Sequence, residues 1–505
     1  MNDDGITLIL RKHLNQQAFE EEIGMFDTAR TRAARSWQAR GWASGPKLLV
    51  VTLVTGLVLA ACGSATSVST TSASSAATAS TTGGAQSGSQ NGGPPGGGSG
   101  GGSAQYTPTG TYSQSSGSVT KSGTFTSATK DRSGVLVSAG SLTLNGATVT
   151  TSGASSSSDE SSCYGLNAGV LARGGGTITM SGGSVTTSGD GANGVFAYGT
   201  SKITLTGTTI KATGQYAHGI MTSGGGTIVA KDLTVSTSGG SSAPVATDRG
   251  GGTITVTGGS YTSSGNNSPG IYSTGNITAT GATFLATGSE VVVIEGANNV
   301  TLNNASLTAN KAGKWGVMIY QSMSGDASGT KGTYTQTGGS LTETASDSPL
   351  FYVTNTTGVI TLSGVKISNA SGTLLKAAAG QWGASGSNGG TSVLTASGQT
   401  LTGNVVADKA SSVTLTLKSG SSLSGAIDSA DMAKSVALTL DASSAWNVTA
   451  NSHVTSLTGA VISGSTISNI KGNRHTVTYD KNSSANAYLG GKTYTLAGGG
   501  TLAPA

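Results

Sequence analysis

From about Tyr106 onward, apolar residues alternate with Thr and Ser in short runs separated by Gly. Period-two alternation is the mark of half-buried strands, because successive strand side chains point to opposite faces. One strand–turn–strand unit recurs. It reads Ile178-Thr-Met-Ser-Gly-Gly-Ser-Val-Thr-Thr-Ser-Gly189, returns from Ile203 to Gly214, and returns again from Ile254 to Gly265. Weaker copies begin at Leu142, Ile228, Ile277, Val300, Tyr334 and Ile360. The spacing is 25 residues from Ile178 to Ile203 and 25 to Ile228, then 26, 23 and 23; gaps of 36, 34 and 26 elsewhere imply inserted loops.

A third short apolar segment lies between these units, as at Val170, Val195, Ile220 and Ile271. Each period therefore holds three strands and three turns, the size of one coil of a parallel β-helix. A single coil leaves its apolar face uncovered, and stacking aligns the Ile, Val and Leu positions into ladders. Gly supplies the positive φ angles of the corners. The fold expected is all-β, a single-stranded parallel β-helix, with repeats over 106–392 and divergent coils with a terminal cap over 393–505. An array of β-sandwiches is the alternative.

The repeat is similar to right-handed parallel β-helix proteins of the pectin-lyase-like superfamily, including surface adhesins and autotransporter passengers. The resemblance implies right-handed coiling and a role at a surface. The stretch from Ser444 to Leu457 looks like the terminal passenger region of autotransporters, but no membrane barrel follows it before Ala505.

The N-terminal part reads as an address. Arg30, Arg32, Arg35, Arg40 and Lys47 precede an apolar run over 48–61, too short to span a bilayer comfortably. Leu59-Ala60-Ala61-Cys62 resembles the lipobox of bacterial lipoproteins. The resemblance implies a signal peptide over 1–61, with Met25 as an alternative start. It also implies a lipid on Cys62 that anchors the chain to the membrane of a bacterial cell envelope, at the outer membrane or cell surface. Residues 62–105 are mostly Ser, Thr, Ala and Gly, and read as a disordered tether.

Composition narrows the chemistry. Gly contributes 81 of 505 residues, and charged residues only 10%. That excludes a long helical protein. Two cysteines exclude a disulfide scaffold. Past residue 61 the balance is 20 basic against 16 acidic residues, a net +4 with no basic run, so nucleic acid is not an expected partner. His218, read as a surface residue, and His453 have no neighbours at ligand spacing, so no metal or other cofactor is expected. Cys163 reads as a free loop thiol, with an intermolecular crosslink as the alternative. Asp326 and Asp347 read as isolated. Asp248 and Glu295 fall two coils apart at similar turn positions and form a conceivable carboxylate pair. No catalytic residue is assigned. A polysaccharide lyase or hydrolase is kept as an alternative function.

The strongest binding signal is the third strand. Its second position is apolar and reads as inward. The next reads as outward: Leu171, Phe196, Met221, Ala246, Tyr272, Met318 and Phe351. Such a stripe suits the apolar faces of sugar rings. Arg173, Tyr198 and Tyr320 flank it, with Trp315 and Trp382 in nearby insertions. The expected function is non-catalytic adhesion or binding of a cell-envelope or extracellular polysaccharide, or of a host or neighbouring cell surface. Self-association over the stripe and a passive surface spacer are the other readings.

Overall fold

The computed structural model describes residues 106–505. The signal peptide expected over 1–61, Cys62 and the tether over 62–105 lie outside the described residues. The described chain is a parallel β-solenoid of about 16 turns with almost no helix. Its first coil consists of the strands Thr109–Gln114, Ser118–Lys121 and Thr124–Ser127. Each founds a sheet, numbered first, second and third in that order. The first sheet gathers 12 strands, the second 14 and the third 10.

Parallel pairing holds like positions in register. Ile203 lies between Ile178 and Ile228, and Ile254 follows them in the same ladder. These residues are essentially unexposed and belong to one continuous core. Fully burying such a side chain is worth about 1.5–3 kcal/mol. The repeat units found in the sequence are thus the strands of the second and third sheets.

The corner between those two sheets explains much of the glycine. It is two residues long over most of the solenoid, and its first residue adopts positive φ: Gly182 at 62°, Gly207 at 60°, Gly258 at 63°. Asp232 (52°) and Asn304 (51°) serve at other levels. These residue types tolerate the left-handed region best.

The regular third sheet ends at Lys366–Asn369, while the second sheet runs on through Thr391–Ser397 to Ser456–Thr458. From Thr400–Thr402 a fourth sheet takes over. Gln399 bridges the change: its side-chain amide accepts from the Val365 N–H at 2.8 Å and donates to the Val365 carbonyl at 2.7 Å. At the far end Tyr494–Ala497 and Thr501–Pro504 pair antiparallel, which breaks the exposed parallel edge.

Candidate functional site: the outer face of the first sheet

The stripe predicted from the third strand of each period lies on the outer side of the first sheet. Leu171, Phe196, Met221, Ala246, Tyr272, Val293 and Met318 stack in register. They form a hydrophobic cluster separate from the solenoid core. Their direction is the one expected, but their exposure is not, since each is at most 2% exposed. An open apolar column of this length needs cover, and segments inserted at the borders of the sheet provide it.

Phe351 is a correction. It pairs with Val317, not Met318, and belongs to the interior core. Tyr352 takes the outward place beside Met318. The repeat here opens on Pro349 and the strand begins one residue later, and a shift of one reverses which side chains face out. Val293, absent from the predicted stripe, fills the level between Tyr272 and Met318.

One cover is the insertion that carries the helix Ser158–Tyr164. Ser157 caps its start by accepting from the Glu160 N–H at 3.1 Å, and Asp159 and Glu160 favour the first turn. Gly165 ends it at φ 76°. A Cβ there would lie 2.7 Å from Leu171 and 2.9 Å from Phe196, so only Gly lets the helix end sit on the stripe. Ser223 Oγ donates to the Cys163 carbonyl, and Asn193 Nδ2 to the Ser161 carbonyl at 3.1 Å. Cys163 is buried on this helix, so the expected open loop thiol is not there. At the rim the Arg173 guanidinium lies over the rings of Tyr106 and Tyr198, 5.5 and 5.7 Å from their centres.

A second outward column runs two residues further along the strands, from Tyr198 and Ser223 through Asp248 and Glu295 to Tyr320. Asp248 and Glu295 thus share a column, and the insertion 321–330 adds Asp326, which is not isolated. Glu295 Oε2 accepts from the hydroxyls of Tyr272 and Tyr320, each at 2.7 Å. Its Oε1 accepts from Ser322. Ser324 donates to Asp326 Oδ2 at 3.0 Å, and the Arg249 guanidinium lies 3.6 Å from Asp326 Oδ1. Burial, then the Asp326 charge, pushes the Asp248 carboxyl well above the usual range. Burial, then Glu295, does the same to the hydroxyls of Tyr272 and Tyr320.

This cluster has the residue types of acid–base chemistry. However, Asp248, Glu295 and Asp326 are 4%, 1% and 4% exposed, and two tyrosines occupy one oxygen of Glu295. It joins four coils and an inserted loop, and offers a substrate no open approach. Among the described residues no group of three or more His, Cys, Asp or Glu is arranged to hold a metal ion.

Aromatic rings reach solvent at two stretches of this face: the rim with Tyr106, Tyr164 and Tyr198, and a stretch that carries two tryptophans. Trp315 stacks on Tyr352 at 4.1 Å and 14°, and Trp382 packs on Tyr320 at 4.7 Å. Both tryptophans are half-buried. His218 is a further correction. It is buried, its Nδ1 accepts from the Ala243 N–H at 3.0 Å, and burial lowers its pKa to about 4. Sequence reasoning missed its position because only the stacked fold shows that coil corners are buried. Comparison with family models, curated proteins and solved structures finds no match to this chain, so the reading of this face rests on its own geometry.

Proposed function

We propose that the chain is a lipid-anchored protein of a bacterial cell surface, whose right-handed, pectin-lyase-like solenoid is a non-catalytic module for adhesion to polysaccharide. The observation that carries this reading is the pair of half-buried tryptophans, Trp315 and Trp382, backed by Tyr352 and Tyr320. Flat, rigidly supported rings with one open face suit the apolar side of a sugar. The ligand platform is thus narrower than the stripe. The rungs from Leu171 to Met318 are buried and lie outside it.

The test is retention of the full chain on a panel of immobilised polysaccharides, beside a Trp315→Ala/Trp382→Ala variant. Binding by the wild type and its loss in a variant with unchanged circular dichroism supports the proposal. No retention across the panel removes it. Burial of the stripe favours a second reading, a passive surface spacer, which predicts that negative result.

The anchor has its own test. Cys62 is the chain's one other cysteine, so a lipid on Cys62 and an intrachain disulfide to Cys163 exclude each other. Intact-mass analysis of the exported protein decides: a diacylglyceryl adduct on Cys62 supports the anchor, and a Cys62–Cys163 link removes it.

A further inference from the structure

The outward face of the second sheet carries a ladder that the function above does not use. One register position runs through all 14 strands of that sheet, from Thr120 to Thr458, and is Thr in every strand except at Val229. Each of these side chains is half-buried or exposed, and no inserted segment covers them. Adjacent rungs lie about 4.8 Å apart, so the ladder is roughly 60 Å long. Several strands repeat the residue two places away on the same face, as in Thr253–Thr255–Thr257 and Thr333–Thr335–Thr337. This adds parallel rows at about 6.7 Å.

Preference of solvated strands for Thr does not account for this regularity. The third sheet is equally solvated, yet its matching position is broken by Lys211, Ser236, Leu285 and Ser368. Insertions go elsewhere too. Before the fourth sheet begins, the long ones, 152–169, 321–330 and 378–390, all border the first sheet. The corner between the second and third sheets stays two residues long over most of the solenoid.

We propose that this face adsorbs to ice. Three features favour crystalline water over a polymer or a charged surface. Thr is β-branched and its χ1 is stiff, so each rung presents its hydroxyl and methyl in a repeating arrangement, and a repeating array matches a lattice. The central ladder carries no charge, and the two columns flanking it carry few: Lys202, Lys231 and Lys418, with Asp441 beside Lys418 near the far end. A neutral lattice offers no counter-charge, and such a face asks for none. Finally, this face has no aromatic stack of the kind that the half-buried Trp315 makes on Tyr352 at the first sheet. The inference goes beyond the glycan reading and does not depend on the lipid.

The test measures thermal hysteresis and ice-crystal shape for the full chain. The expected result is faceted crystals and a measurable freezing gap. A Thr255→Lys/Thr278→Lys/Thr301→Lys variant should lose both, while Thr262→Lys on the third sheet should keep them. Circular dichroism checks that each variant is folded. Round crystals with a folded wild-type chain overturn the proposal, as does hysteresis that survives the triple substitution or falls equally with Thr262→Lys. Polysaccharide retention of the same preparations is read separately, so failure of one proposal is not failure of the other.

Discussion

The outer faces of the first and second sheets share one backbone lattice and differ in what covers it. On the first, apolar rungs from Leu171 to Met318 and the carboxylates Asp248 and Glu295 lie under inserted segments. On the second, Thr rungs stand open to solvent. The difference shows that the solenoid sets only the spacing of a face. Side-chain chemistry then determines whether a loop is worth ordering over it: apolar rungs offset the ordering entropy of a covering loop, and Thr rungs do not.

Substitutions can break that contrast. The largest effect is expected from Phe196→Ala, which empties a covered site and should cost about 3–5 kcal/mol, read as a lowered midpoint of urea unfolding. Glu295→Ala comes next. It leaves the buried hydroxyls of Tyr272 and Tyr320 without their acceptor, at a cost of about 3 kcal/mol. Faster hydrogen exchange over 321–330 would show that the carboxylate holds that loop down. Unchanged exchange there would mean that packing alone holds it.

A smaller effect is expected inside the solenoid. Glu343 faces inward opposite Ala309, is 1% exposed, and its Oε2 has no hydrogen-bond partner. Burial raises its pKa from 4.5 to about 7. Between those values the native state holds a proton that the unfolded chain has released, so stability falls as pH rises through this window and is level above it. Glu343→Gln should flatten that slope. At pH 8 it should gain about 1–2 kcal/mol, allowing for partial solvation, and at pH 4 nothing. Equal gains at both pH values would assign the effect to packing. The smallest change is expected from Thr204→Ala on the open face, within about 0.5 kcal/mol. A loss as large as that at Phe196 would erase the contrast between the faces.

Strands, coil length and the inward ladders were readable because burial imposes a strict period on them. The columns through Ile178 and Val170 need no tertiary knowledge. The outward column was readable in direction for the same reason. Its slip at Phe351 came from taking Pro349 as equivalent to the Gly that opens the other copies. The carboxylate cluster was half legible. Asp248 and Glu295 follow from register, but Asp326 arrives on an insertion whose path no periodicity predicts.

The chain's own pattern determined the parallel coils, the αL corners and the identity of each ladder, because these follow from the period-two alternation and from which residues tolerate positive φ. Tertiary structure alone decided which ladder is covered. It closed the helix Ser158–Tyr164 over Leu171 and Phe196, brought Asp326 to Asp248 and Glu295, and left the Thr ladder open. Those contacts join residues far apart in sequence through insertions, and an insertion settles where buried surface and hydrogen bonds outweigh the entropy of ordering it.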